Sequence, residues 1–270
     1  MPKMSDWNKM DQWEMVLPPS RPTIDELERI EDYIDKYSRS EPIAILGSTP
    51  EFRELLYRMG FQKRIVFDKS IDFYQRMSKL IPTYVSDCEQ LIVGDWLSTL
   101  PNYMGAFNVV LSDLTMGNVS YSNRNKFYKS IANMLAPGGT FIDKVLAFDF
   151  EVPTIDMLFA KYEKLPINLR TINDFSSEVL FCSELVSQRK KVDSTEIYGI
   201  IDCGCYSDKI KFFAKAARMI TPEGFTWDYG IPWSELSSDY SCFYTEQISY
   251  SEENLTSPYY KRTKQFFNKK

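Results

Sequence analysis

Residues 41–60 read EPIAILGSTPEFRELLYRMG, and the parsing of this stretch decides the fold. The apolar run Ile43, Ala44, Ile45 and Leu46 reaches Gly47, and after Ser48, Thr49 and Pro50 the positions Phe52, Leu55, Leu56 and Met59 recur at helical spacing. That order predicts a buried strand, a tight turn and a helix, with Pro50 suited to the first helical turn. Outward from it, residues 64–67 read as a second strand ending at Asp68, 21 residues beyond Gly47. A carboxylate at that spacing is expected of a nucleotide-ribose site in an open α/β sheet. Three more runs follow: 90–93 closes on Gly94, Asp95 and Trp96, 107–111 closes on Ser112, Asp113 and Leu114, and 140–146 is introduced by Leu135, Ala136, Pro137, Gly138 and Gly139. Helical patterns at 71–80 and 123–135 lie between runs, as the right-handed crossovers of a parallel sheet require. Four strand ends therefore carry a turn or an acid at one sheet edge, where such sheets bind ligands.

Taken in order, these motifs resemble the class I S-adenosylmethionine-dependent methyltransferases: a glycine turn, an acid after each of the next three strands, and an LxPGG turn before the fifth. The resemblance covers residues 41–145. Leu46 to Phe52 (LGSTPEF) and Pro19 to Pro22 (PSRP) further resemble a subgroup with an LGxTPEL-like loop and an N-terminal PxRP segment. The family's first motif usually holds an acid and Gly-x-Gly-x-Gly; here only Gly47 is present, with Ala44 and Leu46 in that neighbourhood. The resemblance implies an α/β fold, a Rossmann-like seven-stranded mostly parallel sheet with helices on both faces. It also implies S-adenosylmethionine as cofactor, with its methyl group passed to an oxygen or nitrogen of a small-molecule acceptor.

On that basis Asp68, with neighbouring Lys69, is the first candidate for the cofactor, because a carboxylate at a strand tip accepts from both ribose hydroxyls. Gly47 lets backbone approach closely, and Ser48 and Thr49 offer donors at a helix N-terminus for the cofactor carboxylate. The resemblance places Asp95 at the adenine amino group, with Trp96 flanking the ring. It places Asp113 beside the sulfonium, where it binds the methionine amino group or takes a proton from the acceptor. In the family an N-terminal segment folds over the cofactor, which makes Arg21 and Trp13 candidates for covering it. Methyl transfer from an activated sulfonium demands mainly alignment. An oxygen acceptor still gains from a base, and with no histidine in the chain Asp113 and Lys144 are the catalytic candidates. Asn118, Tyr121 and Phe175 are candidates for contacting the acceptor.

Two other readings compete. Asp113, Lys144 and Glu178 resemble the motifs of FtsJ-type RNA ribose 2'-O-methyltransferases, although no counterpart of that family's first lysine is found. The reduced glycine motif also admits a non-catalytic cofactor-binding or scaffold protein. A net charge of −5 and pI near 5.1 give no general attraction to phosphate backbones, which argues against a nucleic-acid partner. The absence of histidine excludes imidazole bases and ordinary His-containing zinc sites, and the five scattered cysteines give no metal signature. No apolar stretch approaches the roughly 20 residues that span a bilayer, and the N-terminus lacks a signal peptide's apolar centre, so a cytoplasmic protein is expected.

The rest of the chain sorts into four parts. Residues 1–40 form an arm containing Trp7 and Trp13 and a helix starting at Thr23, where Glu26 completes a capping box and Ile24, Leu27, Ile30, Tyr33, Ile34 and Tyr37 make one stripe. This part is expected to cover the cofactor site. Residues 41–147 form the cofactor-binding core. Residues 148–235 are expected to be a helical substrate lid, with helices at 153–162, 175–192 and 209–220 and breaks at Pro166, Gly199, Gly204 and Pro222. Residues 236–270 are expected to supply two closing strands, 241–250 and 261–267, joined by a loop with Pro258.

Overall fold

A computed structural model describes residues 13–81, 88–146, 152–189, 191–228, 232–251 and 263–270; Trp7 and Pro258 lie outside them. The first helix, α1 (Ile24–Ile34), begins at the capping box: Thr23 accepts from the Glu26 amide while the Glu26 carboxylate accepts from the Thr23 amide. The core then runs β1 (Pro42–Leu46), α2 (Pro50–Arg58), β2 (Lys63–Asp68), α3 (Ile71–Ser78), β3 (Glu89–Val93), α4 (Trp96–Thr99), β4 (Phe107–Asp113), α5 (Arg124–Met134) and β5 (Leu135–Leu146). Each parallel pairing joins strands separated by a helix.

Beyond β5 come α6 (Ile155–Tyr162), α7 (Leu169–Phe181), α8 (Glu184–Arg189), β6 (Val192–Asp193), α9 (Ser194–Cys203), α10 (Asp208–Ile220), β7 (Thr226–Trp227), α11 (Trp233–Ser241), β8 (Glu246–Ser251) and β9 (Thr263–Lys269). The seven-stranded sheet has the order β3-β2-β1-β4-β5-β9-β8, and β9 is antiparallel to both neighbours. The period-2 pattern of β1 distributes its side chains between the two faces. Ala44 and Leu46 join Phe67, Val110 and Phe141 under α5 and α11, while Ile43 and Ile45 join Val66 and Leu111 under α1, α2 and α3. A third core lies within α6, α7, α9 and α10 and reaches Phe73 and Met77 on α3 and Trp13 and Val16 on the N-terminal segment.

The region after β5 is mainly helical, carries a two-stranded ribbon of β6 and β7, and differs from expectation at several further points. The helix expected at 175–192 starts earlier, at Leu169, where Asn168 caps it, and ends at Phe181; α8 is separate. Gly199 is interior to α9 rather than a break, since the Asp193 cap starts a helix that runs past it. A Cβ at Gly199 meets nothing within 4 Å, so Gly199→Ala should stabilise the fold by about 0.5–1 kcal/mol in a denaturant titration. At the C-terminal end, residues 236–241 are helical because Leu236 and Tyr240, four apart, bury one face of α11. The strand expected from 241 therefore begins at Glu246.

One buried acid beneath α11 makes stability depend on pH. Asp143 on β5 is fully buried and accepts from the Tyr240 hydroxyl at 2.6 Å. Burial pushes its carboxyl up to about 7, with the Tyr240 and Ser112 hydroxyls offsetting only part of the rise. The folded state thus holds a proton that the unfolded chain releases near pH 4, and stability falls as pH rises between those values. Asp143→Asn keeps an acceptor for Tyr240 and removes the charge. It should melt several degrees above the parent at about pH 8, with the gap closing toward about pH 5.

Candidate functional site

The carboxyl edge of the sheet opens into a cavity of about 490 Å³ lined by the tips of β1 to β4, by the N-terminal segment and by the region after β5. That volume falls in the usual range for small-molecule sites. At the end of β1 the chain turns at Gly47, whose φ of +87° would strain any residue with a Cβ. Its amide donates to the Phe67 carbonyl at 2.9 Å, extending the ladder to β2 by one step. The space into which a Cβ would project is open. Thr49 precedes α2, and Pro50 occupies the first helical position.

Asp68 ends β2 with its side chain buried against this turn. One carboxylate oxygen accepts from the Ser48 hydroxyl and the other from the Ser70 amide at 2.9 Å. Burial raises its pKa, and the Ser48 hydrogen bond opposes the rise. Each oxygen keeps a further lone pair for a ligand. At the β3 tip Asp95 caps α4 by accepting from the Leu97 amide at 2.9 Å, and the Trp96 indole N–H donates to the Phe67 carbonyl at 2.9 Å. That bond and the ring of Phe127, 6.0 Å away between centroids, fix the indole as a cavity wall.

At the β4 tip, Asp113 lines the cavity, but its carboxylate is held by Lys144 at 2.7 Å, and Lys144 is also 3.2 Å from Glu26 on α1. All three side chains are buried. Burial pushes the Asp113 carboxyl up to about 7, with Lys144 opposing the rise. For Lys144, burial acts to lower the ammonium, and the two acids hold it above its ordinary value. Leu114 follows in the left-handed region at φ +54°, a conformation rare for a side chain with a Cβ, and Asn118 lines the cavity a few residues on.

The cavity therefore brings together Gly47, Ser48, Thr49, Asp68, Lys69, Asp95, Trp96, Asp113 and Asn118. Four expected residues lie elsewhere. Arg21 pairs with Glu51 in the first turn of α2 and does not line the cavity. Lys144 is buried in its ion pairs with Asp113 and Glu26 and does not line the cavity. Tyr121 is outside: its amide donates to Asp228 at 2.7 Å and its hydroxyl meets Glu235. Phe175 is core, packed on Tyr162 at 5.1 Å and Phe213 at 5.3 Å, because that stripe of α7 faces α6 and α10. Trp13, by contrast, lines the cavity, and its indole N–H donates to Glu51 at 3.3 Å.

Several lining residues carry no local signal in the sequence, among them Asn173, Ser176 and Phe181 on α7 and Trp227 and Asp228 at β7. Asn173 accepts from the Leu17 amide at 3.0 Å and donates to the Met15 carbonyl at 2.9 Å, tying the N-terminal segment to α7. Among the described residues no group of three or more His, Cys, Asp or Glu is placed to hold a metal ion, and no helix is long and apolar enough to cross a membrane.

No family model matches the chain, and no curated protein matches it in sequence. Solved structures match its shape. A Rhodobacter sphaeroides protein provisionally described as a Zn-dependent alcohol dehydrogenase superposes with TM-score 0.54 at 14% identity, over 97% of this chain and 98% of that one. The PH0226 protein of Pyrococcus horikoshii OT3 gives 0.51 at 15% identity, over 96% and 99%. The CurJ carbon methyltransferase gives 0.50 at 11% identity over 89% of this chain and 51% of that one, so the chain spans about half its length. The fold is the Rossmann-like methyltransferase fold. Within this methyltransferase fold, the cavity occupies the carboxyl edge, and the region between β5 and β8 supplies its far wall.

Proposed function

We propose that the protein transfers the methyl group of S-adenosylmethionine to an oxygen or nitrogen of a small-molecule acceptor. The observation that carries this reading is a single cavity in which the tips of β1 to β4 face residues of α7 and β7. The residues present fit the cofactor: an open glycine turn, a buried acid with spare lone pairs, and an indole wall beside a second acid. Asp68 would accept from the ribose hydroxyls, the Ser48 and Thr49 amides would meet the cofactor carboxylate, and Asp95 and Trp96 would hold the adenine. The bound cofactor supplies an activated methyl group. The chain's part is to align the acceptor and exclude water, which suits a site without histidine.

In this reading residues 13–21, fastened to α2 through Glu51 and to α7 through Asn173, cover the cofactor, and the region after β5 forms the substrate lid. No observation favours the RNA ribose reading: Glu178 pairs with Lys161 at 2.7 Å, while Lys144 pairs with Asp113 and Glu26. Calorimetric titration with S-adenosylhomocysteine tests the proposal. Saturable one-to-one binding is expected, and no heat of binding would contradict it. Methyl incorporation into any small acceptor separates an enzyme from a cofactor-binding scaffold.

A further inference from the structure

The far wall of the cavity holds a carboxylate that the strand-tip pattern does not include. Asp228, directly after β7, is half-buried and lines the cavity. Two hydrogen bonds fix it: its amide donates to the Gly117 carbonyl at 2.9 Å, and its Oδ2 accepts from the Tyr121 amide at 2.7 Å. Gly117 and Tyr121 both lie on the stretch that follows β4, so the acid is held beside the β4 tip. Asp113, at that tip, is neutralised by Lys144. Asp228 is not: among the described residues no lysine or arginine pairs with it, and Oδ1 accepts no hydrogen bond. Beside it Trp227 and Phe181 line the same cavity, their ring centroids 5.1 Å apart. An open carboxylate next to an aromatic wall matches a flat apolar molecule that carries an acidic O–H.

We propose that Asp228 is the general base of an acceptor subsite for phenols, with Trp227 and Phe181 receiving the ring. This deepens the methyl-transfer reading and rests on it. Asp228 takes the hydroxyl proton as the phenolic oxygen bonds to the methyl carbon. The carbon–sulfur bond breaks and its electron pair stays on sulfur, so a cationic sulfonium and a carboxylate become a neutral thioether and a neutral acid. A positioned base of this kind contributes about 10²–10⁴-fold in rate.

The test uses the whole chain and Asp228→Asn, which keeps an oxygen for the Tyr121 amide. Calorimetry on the S-adenosylhomocysteine-loaded protein compares 1-naphthol with 1-methylnaphthalene, which lacks the hydroxyl. The parent should bind 1-naphthol about tenfold or more tightly than its analogue, and the variant should lose most of that preference. With S-adenosylmethionine, kcat/KM for 1-naphthol should fall about 10²–10³-fold in the variant, whereas for the more acidic 4-nitrophenol, which ionises without help, it should fall less than about tenfold. Equal losses for both phenols, no preference for the hydroxyl in the parent, or methylation of neither would overturn the assignment while leaving cofactor binding intact. Failure of the parent to bind S-adenosylhomocysteine would instead overturn the methyl-transfer reading, and this proposal with it.

Discussion

Asp68→Ala is expected to weaken S-adenosylhomocysteine binding by about 100-fold or more, since it would remove two charge-assisted hydrogen bonds with a net contribution of about 1.5–3 kcal/mol each. The substitution also frees the Ser48 hydroxyl and the Ser70 amide, so thermal melting of the unliganded variant is needed as a control. Asp68→Asn, which retains one acceptor oxygen for Ser70, should fall between the parent and alanine. Because burial raises the pKa of Asp68, its acceptor form is lost on acidification sooner than that of an ordinary aspartate. Affinity of the parent should therefore drop as pH is lowered, and the asparagine variant should show a flatter profile. Unchanged affinity in both variants would remove Asp68 from the site.

The second large effect is on stability. Lys144→Met leaves Asp113 and Glu26 buried without their cation, and breaking a buried pair by removing one partner costs about 3–5 kcal/mol. In a chain of this size that lowers the melting temperature by about 10 °C. The Asp113 carboxyl already titrates at about 7 in the folded protein, and losing the lysine raises it further. Protonation then relieves the uncompensated charge, so the destabilisation should be larger at about pH 8 than at about pH 5. A variant as stable as the parent at both values would show that the ammonium does not hold these acids. Activity lost with stability untouched would point back to Lys144 as a catalytic base.

These two residues also mark what the sequence made legible. Gly47 and Asp68 sit where expected because a strand tip and the turn after it are specified within a few residues: the apolar run sets the strand, and the punctuating residue sets its end. Four strand tips read this way line one side of the cavity. The parallel order followed from helices lying between strands, and the resemblance implied a sheet of seven strands that is mostly parallel. Arg21, Lys144, Tyr121 and Phe175 do not line the cavity, and their surroundings are long-range. Their partners Glu51, Glu26, Asp228 and Phe213 are 30 or more residues away, and nothing in local spacing announces such pairings. The two-stranded ribbon β6–β7 was invisible for a different reason. Strands of two residues carry no period, so neither Asp228 nor Trp227 could be assigned to the cavity from the sequence.

In the proposed reading the tips of β1, β2 and β3 grip a nucleoside-bearing methyl donor. A crystal structure of the protein soaked with S-adenosylhomocysteine tests it most directly. Ribose hydroxyls are expected within about 3 Å of the Asp68 carboxylate, adenine against Trp96, and the sulfur facing the Asp113–Asn118 stretch. Ligand bound outside this cavity, or an empty cavity at saturating ligand, would contradict it.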